Sequence, residues 1–458
     1  MDGFSDELEF LVDSTNVDNV GDASEIDYDL DELDDIEDDD RDVVEYEFSN
    51  SNGQDITGAA LSRDKPLLLV HRSHQHASIL PQVLNDAADR HSDELTLGAV
   101  VSMPRMSPKS IKSFFNIIPS DDVPIRIADP ECFARMDSFG EELKKQRDKE
   151  FVGPSTSKYW TYFTEELPAG FTQEWIGAVL DAQRDCGATV LLSPGLWVDP
   201  ASPAKSLAAM RQHAVWSRER VLSGEHLAVN VTLPSSWLAN DVLREQLLNE
   251  IVDMSDPVFY MRFRWPLLAQ PYGHLIDSSI LEGYMELSAT CRDNDIKLIL
   301  PNTGLTGWLA LAWGAHGFST GMGSGERAFA DIRLIKIKAT GPRPAPTQRM
   351  FSSPLLHIVE KPILDSLDRL PNAQRCSCKF CIAMRRGGDG FDKPLAGAHY
   401  LRRVADLTAQ ISSAERGRGV AAREIVTNAC VYKDESNKRV PLANHNNPRH
   451  LPLWRALL

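Results

Sequence analysis

Cysteine is scarce, seven among 458 residues, so no disulfide framework stands in for a hydrophobic core. Long apolar runs are missing as well. Stretches such as 297–301 and 309–314 fall far short of the roughly 20 residues that a bilayer-crossing helix needs, and no membrane partner is expected. The first residues, Met1-Asp2-Gly3-Phe4-Ser5-Asp6, are acidic where a secretory signal is basic and then apolar, which predicts a cytoplasmic protein. No kinase signature, phosphate-cradling P-loop or Ser-His-Asp order is present. Basic residues are nearly absent from the first 50 positions, where Arg41 stands alone against 14 Asp and 7 Glu.

What is there divides the chain by charge. Residues 1–50 sum to −20, residues 51–330 to −9, and residues 331–458, with 22 Lys and Arg against 11 Asp and Glu, to +11. A self-repelling acidic run with few apolar side chains cannot offset its ordering entropy, so residues 1–60 are expected to form a disordered tail. That tail reads as a solubilising segment or as a mimic of nucleic acid that folds back on the basic third. Its Phe4, Leu8, Phe10 and Leu11 also suit docking on a protein partner.

Beyond Pro66, short aliphatic runs alternate with longer amphipathic stretches, the pattern of βα units. Strands are predicted at 67–71, 97–101, 125–129, 189–193, 227–231, 258–263, 297–301 and 317–320, with a further one at 332–338. Helical patterns fall near 79–91, 130–148, 171–186, 203–222, 240–254, 277–294 and 304–315. No Gly-x-Gly-x-x-Gly follows the first strand, and the strand number suits an α/β fold of the (β/α)8 TIM-type barrel class. The expected domains are the acidic tail, the barrel over 61–345, and a basic, zinc-binding, helical C-terminal region over 346–458 that completes the barrel.

Barrel active sites gather at the C-terminal ends of the strands. The residues closing the predicted strands there include His71, Asp129, Ser193, Asn230, Arg262, Arg264, Asn302 and Ser319. Arg262 and Arg264, two apart on a strand, suit a phosphate or carboxylate, or a structural ion pair. The Ser319–Gly325 loop, with Gly321 and Gly323, offers backbone N–H groups to a phosphate or forms a plain tight turn into a helix at 326–330. His71, His74 and His76 resemble the start of a metal-dependent hydrolase site.

The sharpest local signal is Arg375-Cys376-Ser377-Cys378-Lys379-Phe380-Cys381. Three thiolates this close can face one Zn²⁺, which takes four N or S ligands. The fourth is assigned to His399, with Cys430 and His357 as alternatives. Such a closed set makes a structural zinc. Arg369, Arg375, Lys379, Arg385, Arg386, Lys393, Arg402 and Arg403 surround the motif and suit phosphates of tRNA or DNA, or a solvated basic face.

A barrel ending in Cys-x-Cys-x-x-Cys with a downstream His resembles the tRNA-guanine transglycosylase family, including its relatives that act on DNA. The resemblance spans the order of parts over roughly 66–410. It implies a structural zinc and exchange of guanine for a 7-deazaguanine base through a covalent Asp–ribose intermediate. The family's Asp-Ser-Gly-Gly-Phe is matched by Asp129-Pro130-Glu131-Cys132-Phe133, which keeps the Asp and the Phe but not the glycines. Its Gly-Val-Asp-x-Phe-Asp is matched by Gly314-Ala315-His316-Gly317-Phe318-Ser319, so Ser319 stands where the family has its nucleophilic Asp. A serine hydroxyl needs a neighbouring base to react. Glu326, Asp331 and Glu131 are the carboxylates placed to take that role; otherwise the chain is a catalytically silent barrel that binds or assembles. With the resemblance, Asp129 contacts the base.

Overall fold

The computed structural model describes residues 55–62, 64–72, 78–135, 160, 162, 171–266, 273–329, 347–387 and 391–458. Eight strands, β1 Leu67–His71, β2 Thr96–Ser102, β3 Ile125–Asp129, β4 Val190–Leu192, β5 His226–Pro234, β6 Val258–Arg264, β7 Lys297–Leu300 and β8 Gly317–Thr320, make one parallel sheet. The first strand pairs with the last, Leu67 opposite Gly317, so the sheet curls into a barrel. It is closed by ladders everywhere except between β3 and β4. That seam is bridged by Thr189, whose N–H donates to the Arg126 carbonyl at 2.9 Å. The Thr189 hydroxyl accepts from Arg126 N–H at 2.9 Å and donates to the Pro124 carbonyl at 2.8 Å.

The strands read as unbroken apolar runs because both of their faces are buried. One face fills the barrel with Leu67, Leu69, Val100, Ile125, Ile127, Val190, Leu192, Ala228, Val258 and Ile299. The other packs on helices through Leu68, Val70, Leu97, Ala99 and Val101. Gly98 is required where strands crowd: a Cβ there would meet Ile125 Cβ and its carbonyl oxygen at 2.8 Å.

Thirteen helices of seven or more residues surround the sheet among the described residues: α1 Ile56–Ser62, α2 Leu80–His91, α3 Pro108–Asn116, α4 Gln173–Asp185, α5 Pro203–Glu219, α6 Asp241–Met254, α7 Ser278–Asp293, α8 Gly304–Trp313, α9 Lys361–Leu367, α10 Lys379–Arg386, α11 Lys393–Ser412, α12 Arg418–Asn437 and α13 His450–Leu457. Side-chain caps start several of them, Ser107, Thr172, Asn240, Asp277 and Asp392 each accepting from a backbone N–H of the first turn. Helix α1 plugs the N-terminal end of the barrel. Ala60 and Leu61 join the interior core, and Asp55 pairs with His226 at 2.9 Å at the start of β5. Helix α11 packs against α2, β1 and α8, so the last place in the helical ring is filled from far down the sequence. Arg402 clamps it to Asp86 of α2 at 2.6 Å.

Several expectations shift. The end of the expected tail, from Ile56, lies in α1. Helix α3 was not predicted between β2 and β3, and 130–148 shows only a short 3-10 turn, Cys132–Arg135, before its remainder passes outside the described residues. The strand expected at 332–338 and Asp331 also lie outside them. The C-terminal region is not purely helical, since β9 Arg349–Ser352 and β10 His357–Glu360 form an antiparallel hairpin. Among the described residues no helix is long and apolar enough to cross a membrane.

Candidate active site and metal centre

Alternation along the strands turns the inward face from apolar to polar at the C-terminal end of the barrel. His71, Asp129, Asn230, Thr232, Arg262 and Ser319 form that last layer, each at most 7% exposed. Arg262 lies at its centre, its Nη2 on Asp129 Oδ2 and its Nε donating to Asn302 Oδ1 at 3.1 Å. The Tyr260 hydroxyl donates to the same Asp129 oxygen at 3.3 Å. Burial pushes the Asp129 carboxyl up while Arg262 pulls it down, and Asp129 in turn holds Arg262 protonated against burial. Asp129 Oδ1 accepts the Glu131 N–H at 3.1 Å, an Asx-type turn. It leaves Glu131 at φ +46° and carries Phe133 to a position where the Arg262 guanidinium lies 5.0 Å from its ring centre. The two residues that the sequence matches in Asp129–Phe133 therefore meet on one guanidinium.

Ser319 is fully buried. Its hydroxyl oxygen accepts from Asn302 N–H at 2.7 Å and lies 2.6 Å from His71 Nε2. The base that a reactive serine needs is thus beside it, yet the same contacts tie β8 to β1 and to the end of β7. Ser193 is spent on the Asn230 backbone N–H at 2.8 Å. Asn230 Nδ2 and Oδ1, Thr232 Oγ1 and Arg262 Nη1 are buried with no hydrogen-bond partner among the described residues. Arg264 is buried as well. Tyr260 and Thr232 were missed from the sequence. Tyr260 sits among apolar strand residues, and only its parity with Arg262 marks it as facing inward.

In the Ser319–Gly325 loop one backbone N–H is engaged locally. Gly323 N–H donates to Glu326 Oε2 at 2.9 Å, and Glu326 packs against Gly321 closely enough that a Cβ there would meet Oε2 at 2.1 Å. The helix that follows is Ser324–Arg327. His74 and His76 lie outside the described residues, and His71 points into the barrel.

The cysteine motif folds as one cluster with His399, the first-choice ligand. His399 Nδ1 lies 3.6, 3.5 and 3.2 Å from the sulfurs of Cys376, Cys378 and Cys381. A tetrahedral ion with bonds of 2.0 to 2.3 Å sets S···N edges of about 3.5 Å, which the three S···N distances match, and all four ligand atoms lie within 4.8 Å of one another. His399 Nε2–H donates to the Phe351 carbonyl at 2.8 Å, which directs the Nδ1 lone pair at the sulfurs. Burial pulls His399 down, but the Cys376 and Cys378 sulfurs outweigh it and raise it to about 9. A cavity of about 120 Å³ beside Cys376 gives access. Residues from α10, α11 and β9 are thereby drawn together, and the cluster fits a metal. Cys430 and His357, the alternative ligands, lie elsewhere: Cys430 is buried in α12, and His357 belongs to another group.

The surrounding basic side chains are largely engaged within the chain. Lys379 and Arg402 share Asp86, Arg403 pairs with Asp406, Arg375 donates to the Asp368 carbonyl and Arg385 to that of Cys376. Arg369 and Arg386 remain exposed.

No protein-family model and no curated protein matches the chain. Among solved structures, that of a putative fructose-1,6-biphosphate aldolase from Coccidioides immitis is similar over 80% of this chain and 95% of that one, at 9% identity and a TM-score of 0.30. The parallel barrel itself is read from the strand ladders, and the resemblance to the transglycosylases rests on the residues alone.

Proposed function

We propose that the C-terminal mouth of the barrel binds a planar heterocycle of the guanine type, and that the chain is a transglycosylase-like protein that exchanges or modifies such a base in tRNA or DNA. One observation carries this reading: in the buried polar layer that holds Asp129, the Asn230 amide, the Thr232 hydroxyl and Arg262 Nη1 have no hydrogen-bond partner among the described residues. Such atoms are costly unless a ligand satisfies them. A guanine edge has N–H donors for a carboxylate and oxygen and nitrogen acceptors for an amide or guanidinium. Asp129 contacts the base, and Asn230 and Arg262 supply the complementary donors. Zinc at Cys376, Cys378, Cys381 and His399 is structural, four protein ligands leaving it no open position.

A second reading, in which the barrel binds without reacting, is favoured by the engaged and buried state of Ser319. Calorimetric titration with guanine and a 7-deazaguanine separates binding from its absence. Wild type is expected to bind and Asp129→Asn to lose at least tenfold in affinity, about 1.4 kcal/mol; equal affinity in the two would reject the site. Denaturing gels of the protein mixed with oligonucleotide then divide the readings, since a covalent adduct marks the enzyme and binding without adduct marks the module.

A further inference from the structure

Helix α11 carries two buried side chains in succession that serve different parts of the molecule. His399 turns to the thiol cluster. Tyr400, equally buried, turns to the barrel, and its hydroxyl shares a hydrogen bond of 2.8 Å with Thr320 Oγ1 on the last residue of β8. The Arg327 guanidinium lies 4.0 Å from the centre of the Tyr400 ring. Its Nε donates to the Gly321 carbonyl at 3.0 Å and its Nη2 to that of Met322. The helix comes so close to this loop that a Cβ on Gly397 would meet Met322 Cβ at 2.9 Å. Phe351 of β9 braces both members of the pair: its carbonyl accepts the His399 Nε2–H at 2.8 Å, and its ring meets that of Tyr400 edge-on with centroids 5.4 Å apart.

The segment that Tyr400 and Arg327 hold is the one against which the polar layer of the barrel mouth rests. Thr320 follows Ser319, whose hydroxyl accepts the Asn302 N–H at 2.7 Å. The Gly325 carbonyl accepts from Asn302 Nδ2 at 3.3 Å. Phe329 N–H donates to the Asn302 carbonyl at 3.1 Å, and the Phe329 ring centre lies 5.5 Å from the Arg262 guanidinium. Asn302 Oδ1 in turn takes Arg262 Nε. A buried hydroxyl pair and a guanidinium over a ring are both costly to break, so the turn of α11 at Tyr400 and the end of β8 move together. A metal bound at the cluster fixes His399 and with it that turn of the helix; its removal frees the turn.

We propose that Tyr400 is a positioning residue through which metal at the thiol cluster orders the barrel mouth, so that the ion and a ligand at Asp129 and Arg262 support each other's binding. The ordering of the segment after β8 stands on the contacts above. The mutual support of ion and ligand rests on the base-binding reading, and linkage makes it reciprocal: whatever factor the ion adds to the ligand's affinity, the ligand adds to the ion's.

The test compares full-length protein, loaded with Zn²⁺ and stripped with chelator, by hydrogen exchange in the wild type and in Tyr400→Phe, which keeps the ring and removes the hydroxyl. In the wild type zinc is expected to slow exchange over residues 320–329 at least tenfold, and in the variant, still holding its zinc, this slowing is expected to shrink severalfold. A residue that only adds stability shifts the loaded and stripped states alike, so the lost difference marks positioning. Equal slowing in the two proteins, or none over 320–329 in the wild type, overturns the proposal. Should the stripped protein unfold, the zinc-loaded pair decides alone: faster exchange over 320–329 in the variant, with β6 still protected, supports it, and identical exchange overturns it. Thr320→Val breaks the same bond from the β8 side and takes the place of Tyr400→Phe if that variant does not fold. Titration with guanine then tests the mutual support, expected as about tenfold tighter binding with zinc than without and a smaller ratio in Tyr400→Phe. An equal ratio in both proteins overturns that support. No guanine binding by the zinc-loaded wild type rejects the base reading and the mutual support with it, while the exchange result stands by itself.

Discussion

Asp129 and Arg262 show how much of the barrel mouth depends on a single charge pair. Desolvating both groups is costly, and the pair persists because Tyr260 and Asn302 supply further hydrogen bonds while aromatic rings cover the guanidinium. His316, at the opposite end of β8, has an Nε2 that is buried without a hydrogen-bond partner among the described residues. It is 6% exposed, and burial together with the nearby Lys297 and Arg418 lowers it to about 3. The unfolded chain binds this proton near pH 6.5, the folded chain only near 3. Its contribution to stability is therefore complete above about pH 6.5 and is lost as the pH falls toward 3, by up to about 1.4 kcal/mol per unit. Urea unfolding at pH 7 and pH 5 is expected to show that His316→Gln loses about 2 kcal/mol less than wild type over that interval. Equal losses would mean that His316 titrates normally in the folded protein.

At the scale of elements, the weak point is the β3–β4 seam, where one threonine side chain replaces a ladder. Thr189→Val keeps the volume but removes the acceptor for Arg126 N–H and one of two hydroxyl donors to the Pro124 carbonyl, which keeps Thr57, leaving the Arg126 N–H unmatched at about 1 to 3 kcal/mol. Hydrogen exchange should then speed at Arg126 and in β3 while β6 and β7 stay protected; uniform protection would show that the Thr189 backbone bond to Arg126 and packing hold the seam without the hydroxyl. The eight strands are legible in the sequence because burial on both faces makes them apolar without a break. Helix α3 was not, being only nine residues long, although Ser107 followed by Pro108 is a start signal. The four-residue strands of the hairpin fall below what a period of two can mark. The same limit applies to the sites. Asp129, Asn230 and Arg262 show themselves as polar residues ending apolar strands, and the thiols by their spacing. Thr320, Arg327 and Tyr400 have neither a shared strand nor a spacing, and only tertiary structure brings them together.

For the whole molecule, the separation of charge is the dominant long-range feature. Residues 1–50 carry −20, and the rest of the chain sums to +2. Much of the basic surplus near the thiol cluster is held by Asp86 and Asp406, so the field available to a polyanion is modest and the acidic segment opposes it directly. Nucleic acid binding driven by phosphate contacts weakens steeply as salt rises, because each contact releases counterions. If the tail competes for the basic surface, a chain beginning at Asp55 should bind a short oligonucleotide at least tenfold more tightly than the full chain at low salt. Its dependence on salt should be steeper too, since contacts now made within the chain become contacts with phosphate. Filter binding at two salt concentrations measures both quantities. A truncated chain that binds no better, with an unchanged slope, would assign the acidic residues to solubility.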